Sequence, residues 1–189
     1  MKWKIYPEFK LYKIIMKILT EWNKLLRAKS LEIDNFNTIE LKELVKKLKK
    51  ELINLKWVWL ASPQYGIMKR VFIVHSFPNN RYPNAPKFWP IEIINPKITN
   101  TFDETENDWE WCLSVPWIKW LKRWKVERPK KIEVQYFDLF WKKYIKIFEW
   151  FVARIFQHEY DHLEWILFVD KIDRKDLITE DEYLKIINK

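Results

Sequence analysis

Three side chains in one short stretch offer the first chemistry. His158, Glu159 and His162 lie in QHEYDH (157–162), an HExxH pattern. The surrounding FVARIFQHEYDHL (151–163) has helical periodicity. Residues i and i+4 share a helical face, so His158 and His162 can reach one metal ion. Glu159, beside the first histidine, is placed to act as general base toward a water activated by that ion. Phe151, Val152, Ile155 and Phe156 make the helix apolar around the pattern. That favours an internal site over two histidines on a solvated face.

A catalytic metal of this kind needs a third protein ligand. The metzincin position, six residues past the second histidine, holds Phe168. A gluzincin arrangement would recruit a downstream glutamate, Glu180 or Glu182. The sole cysteine, Cys112, is the third choice; it lies in DWEWCLSVPW, which reads as polar and turn-rich. A lone cysteine is usually a small buried hydrophobe, or it can be a nucleophile paired with a histidine. Next to an HExxH, a thiolate ligand is the better use. A further segment is WVWLASPQ (57–64). With glycine at 57 and 59 it would read GVGLASPQ, and backbone could run close to a ligand. Gln64 could then donate its amide N–H to a developing oxyanion.

These residues need elements to carry them. NTIELKELVKKLKKELINL (37–55) predicts an amphipathic helix with Leu41, Leu44, Val45, Leu48 and Leu52 on its apolar stripe, and Asn37 with Glu40 offers a capping box. Residues 69–76 and 90–96 read as strands. Residues 131–137 and 143–148 alternate as a hairpin does, with DLFWK between them. The motif helix follows, and a last helix starts at Thr179 with Glu182 completing a second capping box. The expected fold class is α+β: antiparallel or mixed sheets around a central HExxH helix, with an N-terminal helix and a C-terminal helix. Residues 1–15 read as an extension, because Met16 opens a second plausible start, and 16–189 as a single catalytic domain.

Composition narrows the class. Of 189 residues, 48% are hydrophobic and 32% charged, which fits a globular chain and not a disordered one. No stretch approaches the ~20 apolar residues of a membrane span. The N-terminus carries Lys2, Lys4, Lys10, Lys13 and Lys17, so it lacks the apolar run of a secretory signal. One cysteine excludes an intramolecular disulfide and is compatible with a reducing cytoplasm. The net charge of +9 fits either an acidic partner such as RNA or a Lys-rich solubilising surface.

One feature of the composition is abnormal: there are 13 Trp and 1 Gly. An average chain of this length has roughly 13 Gly. Several Trp fall where turns want glycine. Trp22 lies in TEWNK, Trp109 in NDWE and Trp117 after Pro116. Trp141 sits between two strands, and Trp165 follows the motif helix. We read most or all of these Trp as glycine in the source organism, through a UGA codon translated as Trp. A chain truly rich in Trp and Lys would instead suit a membrane or nucleic-acid surface.

Three segments together resemble the signatures of peptide deformylases. Those signatures are GxGLAAxQ, EGCLS and QHExDH; here they are WVWLASPQ (57–64), EWCLS (110–114) and QHEYDH (157–162), in the same order. Ser62 replaces an alanine, and Trp57, Trp59 and Trp111 replace glycines. Trp22, Trp117, Trp120, Trp150 and Trp165 also fall where that family often has glycine. The resemblance spans about residues 18–175.

What it implies is specific. Cys112, His158 and His162 would bind one divalent ion, natively Fe²⁺, with Zn²⁺, Ni²⁺ or Co²⁺ able to replace it. Glu159 would be the general base. Gln64 and the backbone N–H of Leu113 would hold the oxyanion. Val58, Trp59, Trp111, Phe151 and Ile155 would line the methionine pocket. The substrate would be an N-formylmethionyl nascent peptide and the product formate. A cytoplasmic enzyme with transient ribosome contact follows, without membrane insertion or specific DNA binding. The alternatives are an HExxH zinc peptidase or a non-enzymatic Trp/Lys-rich binding protein. His75, Tyr160 and Asp161 carry no expected catalytic role, Asp161 making local hydrogen bonds near the helix end.

Overall fold

The computed structural model describes residues 18–55, 57–78, 85–117 and 120–187. The expected boundary near residue 15 lies outside them. Among the described residues, eight strands form two antiparallel sheets. The larger has the order β1-β2-β3-β6-β7, and the smaller β4-β5-β8. The strands are β1 (Trp59–Ala61), β2 (Val71–Ser76), β3 (Phe88–Thr101), β4 (Thr105–Trp117), β5 (Trp120–Pro129), β6 (Lys131–Phe137), β7 (Lys143–Glu149) and β8 (Ile178–Thr179). The helices are α1 (Ile39–Leu55), α2 (Trp150–Leu163) and α3 (Glu180–Ile187). This is the expected α+β class.

The motif helix α2 is central. It packs on β1, β2, β6 and β7 of the larger sheet and on β5 of the smaller one. Phe156 fixes it to the larger sheet, edge-on to Phe72 with ring centroids 5.1 Å apart and 5.6 Å from Phe148. From Ala153 to Leu163 only Tyr160 is not fully buried. A helix buried on most sides is a core helix, and this one carries Arg154, Gln157, His158, Glu159, Asp161 and His162 into the core.

Helix α1 buries the expected stripe, Leu41, Leu44, Val45, Leu48 and Leu52. Its cap differs from expectation. Thr38 Oγ1 accepts from the Leu41 N–H at 3.2 Å, while Asn37 Oδ1 accepts from Lys42 Nζ at 2.8 Å. Thr38 is thus the N-cap, one residue later than expected. The capping box at α3 forms as expected: the Glu182 carboxylate accepts from the Thr179 N–H at 2.6 Å, and Thr179 Oγ1 from the Glu182 N–H at 3.3 Å.

Two strand readings change. β3 runs well past 90–96 and through Pro96, because its register with β6 shifts between Ile94 and Lys97 and takes the proline off the ladder. The segment expected to be turn-rich, DWEWCLSVPW, lies in the long strand β4. Trp109 pairs with Lys125 there and is not in a turn. Its periodicity is hidden because buried positions of β4 and β5 carry Glu110, Arg123 and Arg128.

Other Trp sit as the turn reading expects. Trp22 is 65% exposed in a turn. Trp141 closes the β6–β7 hairpin at φ 63°, donating its N–H to the Asp138 carbonyl at 3.3 Å. Trp165 follows the end of α2 at φ 63°, and the next N–H, of Ile166, reaches back to the Asp161 carbonyl at 2.9 Å. That bond is the mark of a Schellman ending, whose left-handed residue is usually glycine. Trp150, at the β7–α2 junction, has φ 53°. Trp117 departs from the turn reading: it is the last residue of strand β4, paired with Trp120 at the start of β5.

Candidate metal centre

α2 and β4 bring the three candidate ligands together. Cys112, His158 and His162 are all buried, and one ligand atom from each lies within 4.8 Å of the others. Cys112 Sγ is 3.2 Å from His162 Nε2. Bond lengths of about 2.3 Å to sulfur and 2.0–2.1 Å to nitrogen place the ligands of one tetrahedral ion roughly 3–4 Å apart, so the cluster fits. Cys112 lies where the β4–β5 register shifts between Trp111 and Pro116, so a bulge presents its side chain.

Orphaned atoms point the same way. His158 Nε2 and both Glu159 carboxylate oxygens are buried without a hydrogen-bond partner. Buried polar atoms left unpaired are costly, and a cation with its water would satisfy them. His158 Nδ1 is 3.0 Å from Glu110 Oε2. If the proton sits on Nδ1, Nε2 is left free as the ligand atom.

Burial sets the electrostatics. It pushes the Cys112 thiol up, and the nearby Glu159 carboxylate adds to this; a bound cation is what would make it a thiolate. Burial holds His162 well below its usual value, reinforced by His158 and Arg128, so it stays the neutral imidazole that metals bind. Burial also raises Glu159 well above the usual carboxylate range, with Glu110 adding to it. A carboxylate raised in this direction holds a proton more readily than an exposed one, as a general base that must carry a proton requires.

Gln64 is aimed by its other end. Its Oε1 accepts from the Ala61 N–H at 2.9 Å, which turns Nε2 toward Ser114 Oγ at 3.3 Å and Cys112 Sγ at 3.7 Å. Leu113 is buried next to Cys112 in β4. Of the proposed pocket residues, Val58, Trp59, Trp111 and Ile155 are buried and Phe151 is half-buried. The Trp59 ring lies 5.9 Å from His158, 6.2 Å from Phe151 and 5.7 Å from Trp111.

Sequence reasoning missed the support beneath the ligands. Glu110 receives Arg128 Nε and Nη2, the latter at 2.8 Å, and Arg154 Nη1 at 3.0 Å. Burial alone would raise its carboxyl, but Arg128 and the hydrogen bonds hold it well below the usual range. Arg154 also donates to the carbonyls of Val126 and Glu106, both at 2.7 Å, tying α2 to β4 and β5. Asp161 differs from its expected local role. It accepts from Arg128 at 2.8 Å and pairs with Lys171 at 3.0 Å, both on other elements.

Of the rival third ligands, Glu182 is engaged in the cap of α3, and the side chain of Glu180 lies outside the described residues. The metzincin position holds Phe168, buried with its ring 6.2 Å from His158. His75 lies in β2, its ring 5.0 Å from Phe77, outside the centre.

Residues 15–177 match the family model described as polypeptide deformylase. Peptide deformylase 2 of Nostoc sp. is 39% identical over 176 residues, covering 93% of this chain and 96% of its own. The crystal structure of a class I type b peptide deformylase from Acinetobacter baumannii with Met-Ala-Ser bound superposes with a TM-score of 0.75 at 36% identity, covering 82% of this chain and 96% of that one. A peptide deformylase from Synechococcus elongatus in complex with actinonin gives 0.70 at 29% identity, over 84% and 80%.

Proposed function

This chain belongs to the polypeptide deformylase family, and we propose that in it Cys112, His158 and His162 hold one divalent metal ion while Glu159 moves the proton as formyl-methionyl peptides lose their formyl group. The enzyme is a metallohydrolase acting on a linear amide. The observation that carries the residue assignment is the buried Cys112–His158–His162 cluster with the unpartnered Glu159 beside it.

When bound, the ion supplies a Lewis acid and a nucleophile available near neutral pH. The chain's own residues do the rest. Glu159 takes the proton of the attacking water and returns it to the leaving amine nitrogen. Gln64 Nε2 and the Leu113 N–H donate to the oxyanion of the tetrahedral intermediate. Val58, Phe151 and Ile155 form apolar walls for the methionine side chain, together with the backbone at 59 and 111. The products are formate and a peptide with a free N-terminus.

Fe²⁺ is the native ion in this reading, since the donor set of one thiolate and two imidazoles accepts it. Zn²⁺, Ni²⁺ and Co²⁺ would replace it. The enzyme acts in the cytoplasm, on chains leaving the ribosome. The test is formate release from formyl-Met-Ala-Ser under anaerobic conditions, because a thiolate beside Fe²⁺ is prone to oxidation. Cys112→Ser should lose both metal and activity. A Cys112→Ser protein that keeps its full metal content would overturn the ligand set and favour a glutamate-liganded peptidase.

A further inference from the structure

The chain has a substrate site with almost no space in it. The cleft beside the candidate metal centre is lined by Trp59, Trp109, Glu110, Phe151, Arg154, Ile155 and His158, and its volume is about 10 Å³. Pockets that bind small ligands have roughly 300–1,000 Å³. Two indoles line it, Trp59 and Trp109, and the Trp111 ring packs behind Trp59. Trp59 is wedged among His158, Phe151 and Trp111, and Trp57 lies edge-on against Trp111 with centroids 4.3 Å apart. These three rings come from β1, the residues before it and β4, the elements that carry Gln64's neighbour Ala61 and the ligand Cys112.

A second observation is independent of the cleft. Among the described residues, four that are not glycine have positive φ, and three of them are Trp141, Trp150 and Trp165, at 63°, 53° and 63°. The chain's one glycine, Gly66, has φ 75°. A left-handed backbone is rare for bulky side chains and routine for glycine. The three positions are a hairpin bulge, a strand-to-helix junction and a helix ending, each a place where glycine is at home.

We infer that the working enzyme carries glycine at 57, 59 and 111, where the Trp59 indole fills the cleft and the Trp57 and Trp111 rings pack behind it, and at 141, 150 and 165, where the backbone is left-handed. The cleft half of this rests on the deformylase reading; the backbone half does not. With glycine at 59 and 111 the space before His158 and Glu110 opens toward the apolar walls of Phe151 and Ile155. Residue 59 then decides access, since its ring is the one facing His158.

The direct test is the intact mass of the protein isolated from the organism that encodes it. A mass lower than that of the Trp form, with glycine found at these six positions in its proteolytic peptides, is expected; tryptophan at them would overturn the inference. The second test uses three recombinant chains: the Trp chain, Trp57→Gly/Trp59→Gly/Trp111→Gly, and Trp141→Gly/Trp150→Gly/Trp165→Gly. Metal content, calorimetric binding of the product Met-Ala-Ser and formate release are read on each. The cleft triple should bind Met-Ala-Ser and release formate at least about 100-fold faster per metal ion than the Trp chain, at equal metal content. The backbone triple should raise Tm and leave peptide binding weak. Equal peptide binding by the Trp chain and the cleft triple would sink the inference. Tight binding by the cleft triple without formate release would leave it standing and sink the deformylase reading instead. Should the Trp chain fail to fold, Trp59→Gly restored to Trp within the six-glycine protein gives the same comparison.

Discussion

Glu110 illustrates what one residue contributes to a metal site it never enters. Its carboxylate accepts from His158 Nδ1, Arg128 and Arg154, so it orients the imidazole and is itself held from two elements. Outer partners of this kind typically change metal affinity ~10–100-fold when removed. Glu110→Gln should therefore weaken metal binding by about that factor in a chelator competition, with the fold retained by circular dichroism. Unchanged affinity would show that the His158–Glu110 contact does not position the ligand. The candidate ligands are legible because their spacing is local, two histidines one helical turn apart and a cysteine inside a recognisable segment. Glu110 lies in that segment, where nothing local marks its role. Its partners lie 18, 44 and 48 residues away, and only the packing of α2 across β4 and β5 joins them.

Elements were legible where periodicity was clean. The stripe of α1, the β6–β7 hairpin and the motif helix stand within a residue or two of expectation. The β4–β5 pair was hidden because its inward positions are charged. An alternation of apolar and polar residues cannot show when Glu110 and Arg128 pair with each other inside. Element ends carry a testable cost. Trp165 occupies the left-handed residue after α2, is 54% exposed, and keeps its backbone carbonyl near Arg27 at 3.4 Å whatever its side chain. A strained left-handed residue costs on the order of 1–3 kcal/mol. Trp165→Gly should raise unfolding stability by about 1 kcal/mol, seen as a higher urea midpoint at unchanged slope. Trp141→Gly should gain less, because the Trp141 ring stacks on Phe36 at 4.0 Å and that contact is lost. A lower midpoint for Trp165→Gly would show that its indole stabilises more than its backbone costs.

At the scale of the whole molecule, the α+β architecture serves to sandwich one helix between two sheets, so that a cysteine from β4 of the smaller sheet meets the two imidazoles of α2. The net charge of +9 has a different bearing. Of the basic residues near the C-terminus, Lys171 pairs with Asp161 and Arg174 with Glu21, which leaves less free positive charge there than the sequence alone conveys. Lys175, paired with exposed Asp173, and Lys185 on α3 remain at the surface. If this face touches ribosomal RNA, Lys175→Glu with Lys185→Glu should weaken co-sedimentation with ribosomes at low salt, where phosphate contacts are strongest. No change would assign the charge to the surface at large. The central claim is tested most directly by formate released per bound metal ion from formyl-Met-Ala-Ser, measured on the Trp57→Gly/Trp59→Gly/Trp111→Gly protein with and without Cys112→Ser. Steady formate release is expected from the first, and loss of both metal and release from the second. A second protein that still holds its metal and still works, or a metal-loaded first protein that releases no formate, would contradict it.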